Sequence, residues 1–404
     1  MQRRAIRDRE TLWIMQVRSK SSPAHLDVRF SGYTPFRTVG EHEDALCLIR
    51  RLMATPGVGI ACIGANAATL EALNGSRSAA HVFKLTPLFG PDCQVSGHPV
   101  VVKIAPGAVG VGEKANYDKF VRSTLPTMCR PELLAFARTR DHSGLCYSFV
   151  GGNEGARMDT LTDYLQRGDT TQLELFLRSI FDLTGDTWYS PHLIREECDI
   201  AQRYLDRYFT RSREAFESEA TLRLCAARYF NAQQKSEWCV IGRTRFPWPH
   251  SVLFATDRKR SYHSCILHGD LNTDNIIVAH DLTLIDFQRT GRGHVYEDLV
   301  HLEASVRINY PRDASFGEIL ETERRIALGQ RQFPTDPYAT TIQEIRDAAF
   351  RYFGRFEDNA TYHFAVAAIG LRLMRAVDIS HVARARITAS ALWAAKALTG
   401  ELSA

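Results

Sequence analysis

Two short runs in the second half of the chain constrain it most: His268-Gly269-Asp270-Leu271-Asn272-Thr273-Asp274-Asn275-Ile276-Ile277-Val278, and then Leu284-Ile285-Asp286-Phe287-Gln288. A loop bearing Asp270 and Asn275 runs into an apolar strand. A hairpin turn at His280-Asp281 then returns the chain through a second strand that ends in Asp286. Closing that hairpin brings Asn275 close to Asp286 and leaves Asp270 on the rim of the same loop. Asp and Asn in loops often do no more than close turns. Here the three elements occur in order, between strands of the right character. Two oxygen ligands and a carboxylate on one rim suit a hard divalent cation with an anionic substrate. Mg²⁺ keeps several waters and takes its remaining ligands from phosphates.

The texture of the chain changes on either side of these runs. Residues 1–40 show no sustained periodicity and are expected to form an extension. Residues 43–53 read as a short amphipathic helix, with Leu46, Ile49 and Leu52 at helical spacing. From 57 to 150 strands and turns dominate: 70–73, 82–85, 100–104 and 145–150, with a helix over 113–123. The glycines of 107–112 read as a flexible link into that helix; the run fails as a Walker A loop because Glu113 stands where Lys is required. Residues 159–234 are helical in pattern, 264–287 form a β-rich island, and the remainder is helical with a proline break at 333–337. The expected fold is α+β with two lobes and a cleft. An extension (1–55) precedes a small antiparallel-sheet lobe (56–150) and a larger, mainly helical lobe (151–404).

Composition narrows the function classes. Of 404 residues, 45% are hydrophobic and 24% charged, which is ordinary for a globular protein. The net charge of +4 resides in residues 1–20, which hold six basic and two acidic side chains; the rest carries equal numbers of each sign. A nucleic-acid partner is therefore not expected. The nine cysteines include no C-x-x-C pair, so neither a zinc site nor a redox dithiol is written in, and most read as buried thiols. No apolar leader begins the sequence, and Asp8 and Glu10 argue against a mitochondrial presequence. The most apolar late stretch, 363–374, is too short to span a bilayer and carries Arg372. The expectation is a cytoplasmic protein without a membrane partner.

Residues 268–275 and 285–287 resemble the H-G-D-x-x-x-x-N loop and I-D-F/W strand end of the kinase-like phosphotransferases, the superfamily of aminoglycoside phosphotransferases and choline kinases. The resemblance implies ATP and Mg²⁺ as cofactors, with a nucleotide and a small-molecule acceptor as partners. Asp270 would orient the acceptor hydroxyl and take its proton, with His268 beside it in the catalytic loop. Asn275 and Asp286 would hold the metal. In a loose phosphoryl-transfer transition state a carboxylate of low basicity suffices.

The superfamily also requires a strand lysine and a helix glutamate. Val101-Val102-Lys103-Ile104 supplies the lysine, and Glu113 follows ten residues later. A lysine in a buried strand is costly unless paired. Asn74, Gly75 and Ser76 lie where relatives have their phosphate loop, with one glycine instead of three. Ser148 and Val150, where the lobes join, would offer extended backbone to the adenine edge. Asp298 would brace the catalytic loop. The acids Asp159, Asp163 and Asp169 either meet a cationic acceptor or form solvated helix surface.

The stretch 285–303, with 101–117, resembles a narrower group, the bacterial ternary-complex-associated kinase-like domains. Gln288 stands where protein kinases have Gly, which removes the φ > 0 freedom of a regulated loop flip. The alternative readings are a regulatory protein kinase or nucleotidyl transferase with a protein partner, or a module that senses nucleotide without turnover.

Overall fold

The computed structural model describes residues 27–31, 35–36, 38–56, 58, 65, 67–73, 80–151, 159–168, 170–209, 212–254, 261–278, 282–330 and 336–401. Asn74, Gly75 and Ser76, the turn at His280-Asp281, Asp169 and Pro334 of the expected break lie outside the described residues. The fold is α+β, with a sheet in the N-terminal part and helices in the C-terminal part. It divides into two compact units, Met1–Asn153 and Glu154–Ala404.

In the first unit the strands are β1 (Asp27–Ser31), β2 (Ala67–Ala72), β3 (His81–Phe89), β4 (Val95–Ser96), β5 (Val100–Pro106), β6 (Leu133–Arg138) and β7 (His142–Ser148). They form one sheet in the order β1-β2-β3-β5-β7-β6, with β4 on β3. Pairing is antiparallel except for β1, which runs parallel to β2. Side chains alternate across the sheet. Val100, Val102, Ile104 and Cys146 face one side, where Leu48, Ile49, Leu52 and Met53 of helix α1 (Val39–Met53) close over them. Each such fully buried aliphatic side chain contributes about 1.5–3 kcal/mol.

That packing revises the expected boundary at residue 55. Helix α1 and the partly buried Val28 and Phe30 of β1 belong to the sheet core instead of a separate extension. The alternation in β1 escapes notice because the strand is short and its outward residues are Asp27 and Arg29. Helix α1 starts four residues earlier than its apolar spacing implies, because the Thr38 side chain accepts the Glu41 N–H at 3.1 Å and caps it.

The opposite face of the sheet receives helix α2 (Gly107–Asn116), which begins directly after β5. The glycine run is thus helix and no flexible link. A Cβ on Gly110 would lie 2.0 Å from Ser143 Oγ and 3.1 Å from Leu145 Cδ1, so glycine is what lets the helix approach β7 this closely.

The second unit is built on helices, among them α3 (Leu161–Arg167), α4 (Thr170–Thr184), α5 (Ile200–Tyr208), α6 (Ser212–Phe230), α7 (Pro249–Leu253), α8 (Glu297–Asn309), α9 (Phe316–Ala327), α10 (Pro337–Phe353), α11 (Asn359–Leu373) and α12 (His381–Leu398). A hairpin over Trp238–Ile241 and Thr244–Pro247 follows the expected helical stretch 159–234; its two-residue turn is Gly242-Arg243, with Gly242 at φ +60°. No described helix is long and apolar enough to cross a membrane. Of the eight described cysteines, four are buried, all free.

A buried ionic cluster ties four helices together. Glu303 of α8 meets Arg307 Nη1 at 2.7 Å and Arg346 Nη2 of α10 at 2.8 Å. Tyr362 of α11 donates to Glu303, and Arg307 Nη2 reaches Glu323 of α9 at 2.8 Å. Burial drives the Glu303 carboxyl upward, but Arg346 and Arg307 outweigh it and hold the group at about 2. Removing one member of such a cluster leaves a buried charge uncompensated. Glu303→Gln is expected to lower unfolding free energy by about 3–5 kcal/mol in urea titration at pH 7. Because the folded pKa is depressed, this contribution is present above the unfolded value of 4.5 and vanishes as pH falls through about 2. The gap between wild type and variant should therefore narrow across that window.

Candidate active site

In the N-terminal unit, Lys103 of β5 and Glu113 of α2 form an ion pair, Nζ to Oε2, of 2.8 Å. Both are almost fully buried, at 5% and 1% exposure. Tyr147 of β7 donates its hydroxyl to Glu113 Oε1 at 2.9 Å. Register explains the trio: Lys103 opposes Leu145 and Val101 opposes Tyr147, so Lys103 and Tyr147 share the face that α2 covers. Sequence reasoning missed this role of Tyr147, whose only signal was a strand position of the same parity as Lys103.

Of the two residues expected at the adenine edge, Ser148 is already occupied. Its N–H donates to Glu132 O at 2.8 Å, and its Oγ accepts the Glu132 N–H at 2.8 Å. It secures β6 to β7, which leaves the half-buried Val150 as the candidate.

In the C-terminal unit, the strand Tyr262–Leu267 delivers the chain into the loop. The N–H groups of His268 and Gly269 donate to the two carboxylate oxygens of Asp298, at 2.7 and 2.8 Å. Asp298 is fully buried in the first turn of α8, where the helix dipole favours a negative charge. Burial pushes its carboxyl up to about 6, opposed by His268 and by the two N–H donors. Gly269 adopts φ +78°, and a Cβ there would lie 2.2 Å from Arg289 O, so no other residue fits.

His268, expected beside Asp270 in the chemistry, is wholly buried. Its Nε2 is 2.9 Å from Ile285 O. That contact ties the loop to the strand that carries Asp286.

Asp270 is half-buried at the loop rim. Its carbonyl accepts Asn275 Nδ2 at 2.8 Å, and the Asn275 carbonyl accepts the Ile285 N–H at 3.0 Å. Those two bonds bring Asp270, Asn275 and Asp286 together. With Nδ2 directed at Asp270 O, Oδ1 is the Asn275 atom suited to a cation. Asp286 sits at φ +64°, ψ +70°, a left-handed conformation that a non-glycine residue adopts at a cost and that recurs at functional sites. Among the described residues no three His, Cys, Asp or Glu gather into a metal cage. The Asn275–Asp286 pair fits Mg²⁺, which takes few protein ligands and completes its shell with water and phosphate oxygens.

A polar network backs the loop. Thr273 N–H donates to Ser305 Oγ at 3.0 Å, and Asn309 Nδ2 donates to Thr273 Oγ1 at 2.9 Å. Arg207 of α5, also missed from sequence, donates to Glu297 Oε1 at 2.9 Å and to Arg289 O at 3.1 Å. The acids of the acceptor expectation are otherwise engaged: Asp163 completes the capping box of α3 with Thr160, and Asp159 meets Arg167 at 2.7 Å.

Two substitutions test these supports. Asp298→Asn keeps one acceptor oxygen and turns an amide toward the second backbone N–H; urea unfolding should report a loss of about 1–3 kcal/mol. Tyr147→Phe removes one hydrogen bond from Glu113 and should cost about 0.5–1.5 kcal/mol by the same measurement.

Residues 210–355 match the family model described as ternary complex associated domain 9. No curated protein matches the sequence. Among solved structures, the chain is similar to an aminoglycoside phosphotransferase from Streptomyces rimosus at 20% identity, covering 76% of this chain and 98% of that one, with a TM-score of 0.36. It is similar to an amicoumacin kinase in complex with AMP-PNP, Ca²⁺ and amicoumacin at 12% identity, over 80% and 89% of the two chains, with a TM-score of 0.39. The matched span of the family model, less than half of the chain, contains the Asp270 loop, Asp286 and Asp298.

Proposed function

We propose that the protein is an ATP- and Mg²⁺-dependent phosphotransferase that moves the γ-phosphoryl group to a hydroxyl of a small molecule. The observation that carries this reading is the closure of Asp270, Asn275 and Asp286 onto one rim by the Asn275–Asp270 and Ile285–Asn275 hydrogen bonds. A bond forms between the acceptor oxygen and the γ-phosphorus, the bond from that phosphorus to the β-phosphate oxygen breaks, and ADP departs. The acceptor proton passes to the Asp270 carboxylate. Since the transition state is loose, Asp270 contributes mainly by aiming the hydroxyl.

Asn275 Oδ1 and the Asp286 carboxylate would hold Mg²⁺, which supplies neutralisation of the phosphate charge when bound. Lys103, kept straight by Glu113 and Tyr147, is the phosphate-contacting cation of the N-terminal unit. Its buried ion pair is hard to account for as a stability device, since an apolar pair of similar volume is often as stable or more so.

The test is Mg²⁺-dependent nucleotide binding and ATP turnover by wild type, Asp286→Asn and Asp270→Asn. Wild type should bind Mg-ATP, Asp286→Asn should bind it more weakly, and Asp270→Asn should bind it while losing turnover by about a hundredfold or more. Failure of wild type to bind nucleotide with Mg²⁺ contradicts the reading. Binding with no turnover against metabolite and protein panels would instead favour a nucleotide sensor.

A further inference from the structure

The turn that presents Asn275 is held by more than its own backbone. Asn272 caps it, its side chain accepting the N–H groups of Asp274 at 3.0 Å and Asn275 at 3.1 Å. Behind the turn a run of hydroxyls stands in contact: Thr162 Oγ1 lies 2.6 Å from Thr273 Oγ1, which lies 2.7 Å from Ser305 Oγ. Asn309 Nδ2 points among them, at 2.9 Å from Thr273, 3.2 Å from Thr162 and 3.3 Å from Ser305. At the far end Thr162 Oγ1 reaches Asp274 Oδ1, 2.6 Å away. Thr273 is wholly buried and Ser305 nearly so, whereas Asp274 is exposed.

Counting protons gives this run a direction. Each hydroxyl has one proton to give, and a carboxylate oxygen only accepts. Thr162 therefore gives its proton to Asp274 and accepts that of Thr273. Thr273, its own proton used, accepts that of Ser305, and Ser305 Oγ accepts the Thr273 N–H at 3.0 Å. The Asn309 amide nitrogen only donates, so it fills the lone pairs that remain. The chain runs from α8 into the turn, out to α3 and back to the turn. Such networks rigidify what they join when every member is satisfied.

Thr162 is the link supplied by α3, and α3 is fixed by bonds of its own. Thr160 and Asp159, just before it, pair with Ile277 and Val278 of the strand that follows the turn. Thr160 and Asp163 then close the capping box that starts the helix. From that base Thr162 bonds two successive residues of the turn, Thr273 and Asp274, and the next residue is Asn275. We propose that Thr162 and Asp274 are positioning residues: the Ser305–Thr273–Thr162–Asp274 chain fixes the turn, so that Asn275 Oδ1 is set before a cation arrives. Asp274 acts in it as a terminal acceptor and not as a charge. The hold on the turn is independent of the phosphotransferase reading; its consequence for metal and nucleotide rests on that reading.

Amide hydrogen exchange and titration with Mn-AMP-PNP, both on the full chain, test this. Thr162→Val keeps the shape and removes the hydroxyl. The amides of 273–275 should then exchange about five- to tenfold faster, and Mn-AMP-PNP affinity should fall by about the same factor. Thr162→Ser keeps the hydroxyl and should stay within about twofold of wild type in both measurements. Asp274→Asn retains an acceptor oxygen and should also stay within about twofold, while Asp274→Ala should behave as Thr162→Val does.

Unchanged exchange of the turn in Thr162→Val overturns the proposal, as does an Asp274→Asn variant as damaged as Asp274→Ala. Faster exchange with unchanged Mn-AMP-PNP affinity overturns it too, because the chain would then support the fold alone. Wild type that binds no Mn-AMP-PNP overturns the phosphotransferase reading instead; faster exchange in Thr162→Val, restored in Thr162→Ser, then still supports the hold on the turn.

Discussion

The grip of Asp298 on two consecutive backbone N–H groups, those of His268 and Gly269, is the interaction on which the candidate site depends. A carboxylate with both oxygens used in this way fixes the direction in which the chain leaves strand Tyr262–Leu267. Everything after it follows by short steps: the Asp270 carbonyl takes the Asn275 amide, the Asn275 carbonyl takes the Ile285 N–H, and Asp286 comes next. Asp298 can do this because α8 is anchored in the bundle. That anchoring has a visible source five residues on, where Glu303 is locked between Arg307 and Arg346. One helix therefore carries both the anchor in the bundle and the clamp on the loop.

The N-terminal unit solves a different problem, keeping a cation inside a sheet. Lys103 is tolerated because Glu113 is within 2.8 Å, and Glu113 reaches it because Gly110 lets α2 settle against Ser143 and Leu145. A larger residue at 110 would lift the helix and separate the pair. The glycine run between strand and helix is thus a packing device, and the buried pair depends on it.

Much of this was legible in the sequence where a residue type is expensive out of place. A lysine alone in the apolar run Val100–Ile104 demands a partner, and the next glutamate, ten residues on, supplies it. The loop motif likewise dictates its own closure, through backbone groups that follow from its spacing. What was not legible depends on contacts distant in sequence. Nothing local distinguishes His268 as buried, Tyr147 as the partner of Glu113, or Arg207 as the bridge between Gly269 and Arg289. Strand β1 escaped because five residues with two charges carry too little pattern, and the glycines of α2 pointed to a link because their helical role lies in the surface they meet. The four-residue shortfall at the start of α1 was avoidable, since Thr38-Val39-Gly40-Glu41 carries the spacing of a capping motif.

The central claim is that Asn275 and Asp286 hold a divalent cation together with a nucleotide. Anomalous diffraction from crystals of the full chain grown with Mn²⁺ and AMP-PNP tests it most directly. The account predicts one strong anomalous peak coordinated by Asn275 Oδ1, the Asp286 carboxylate and phosphate oxygens. A bound nucleotide whose Mn²⁺ contacts neither residue would contradict it.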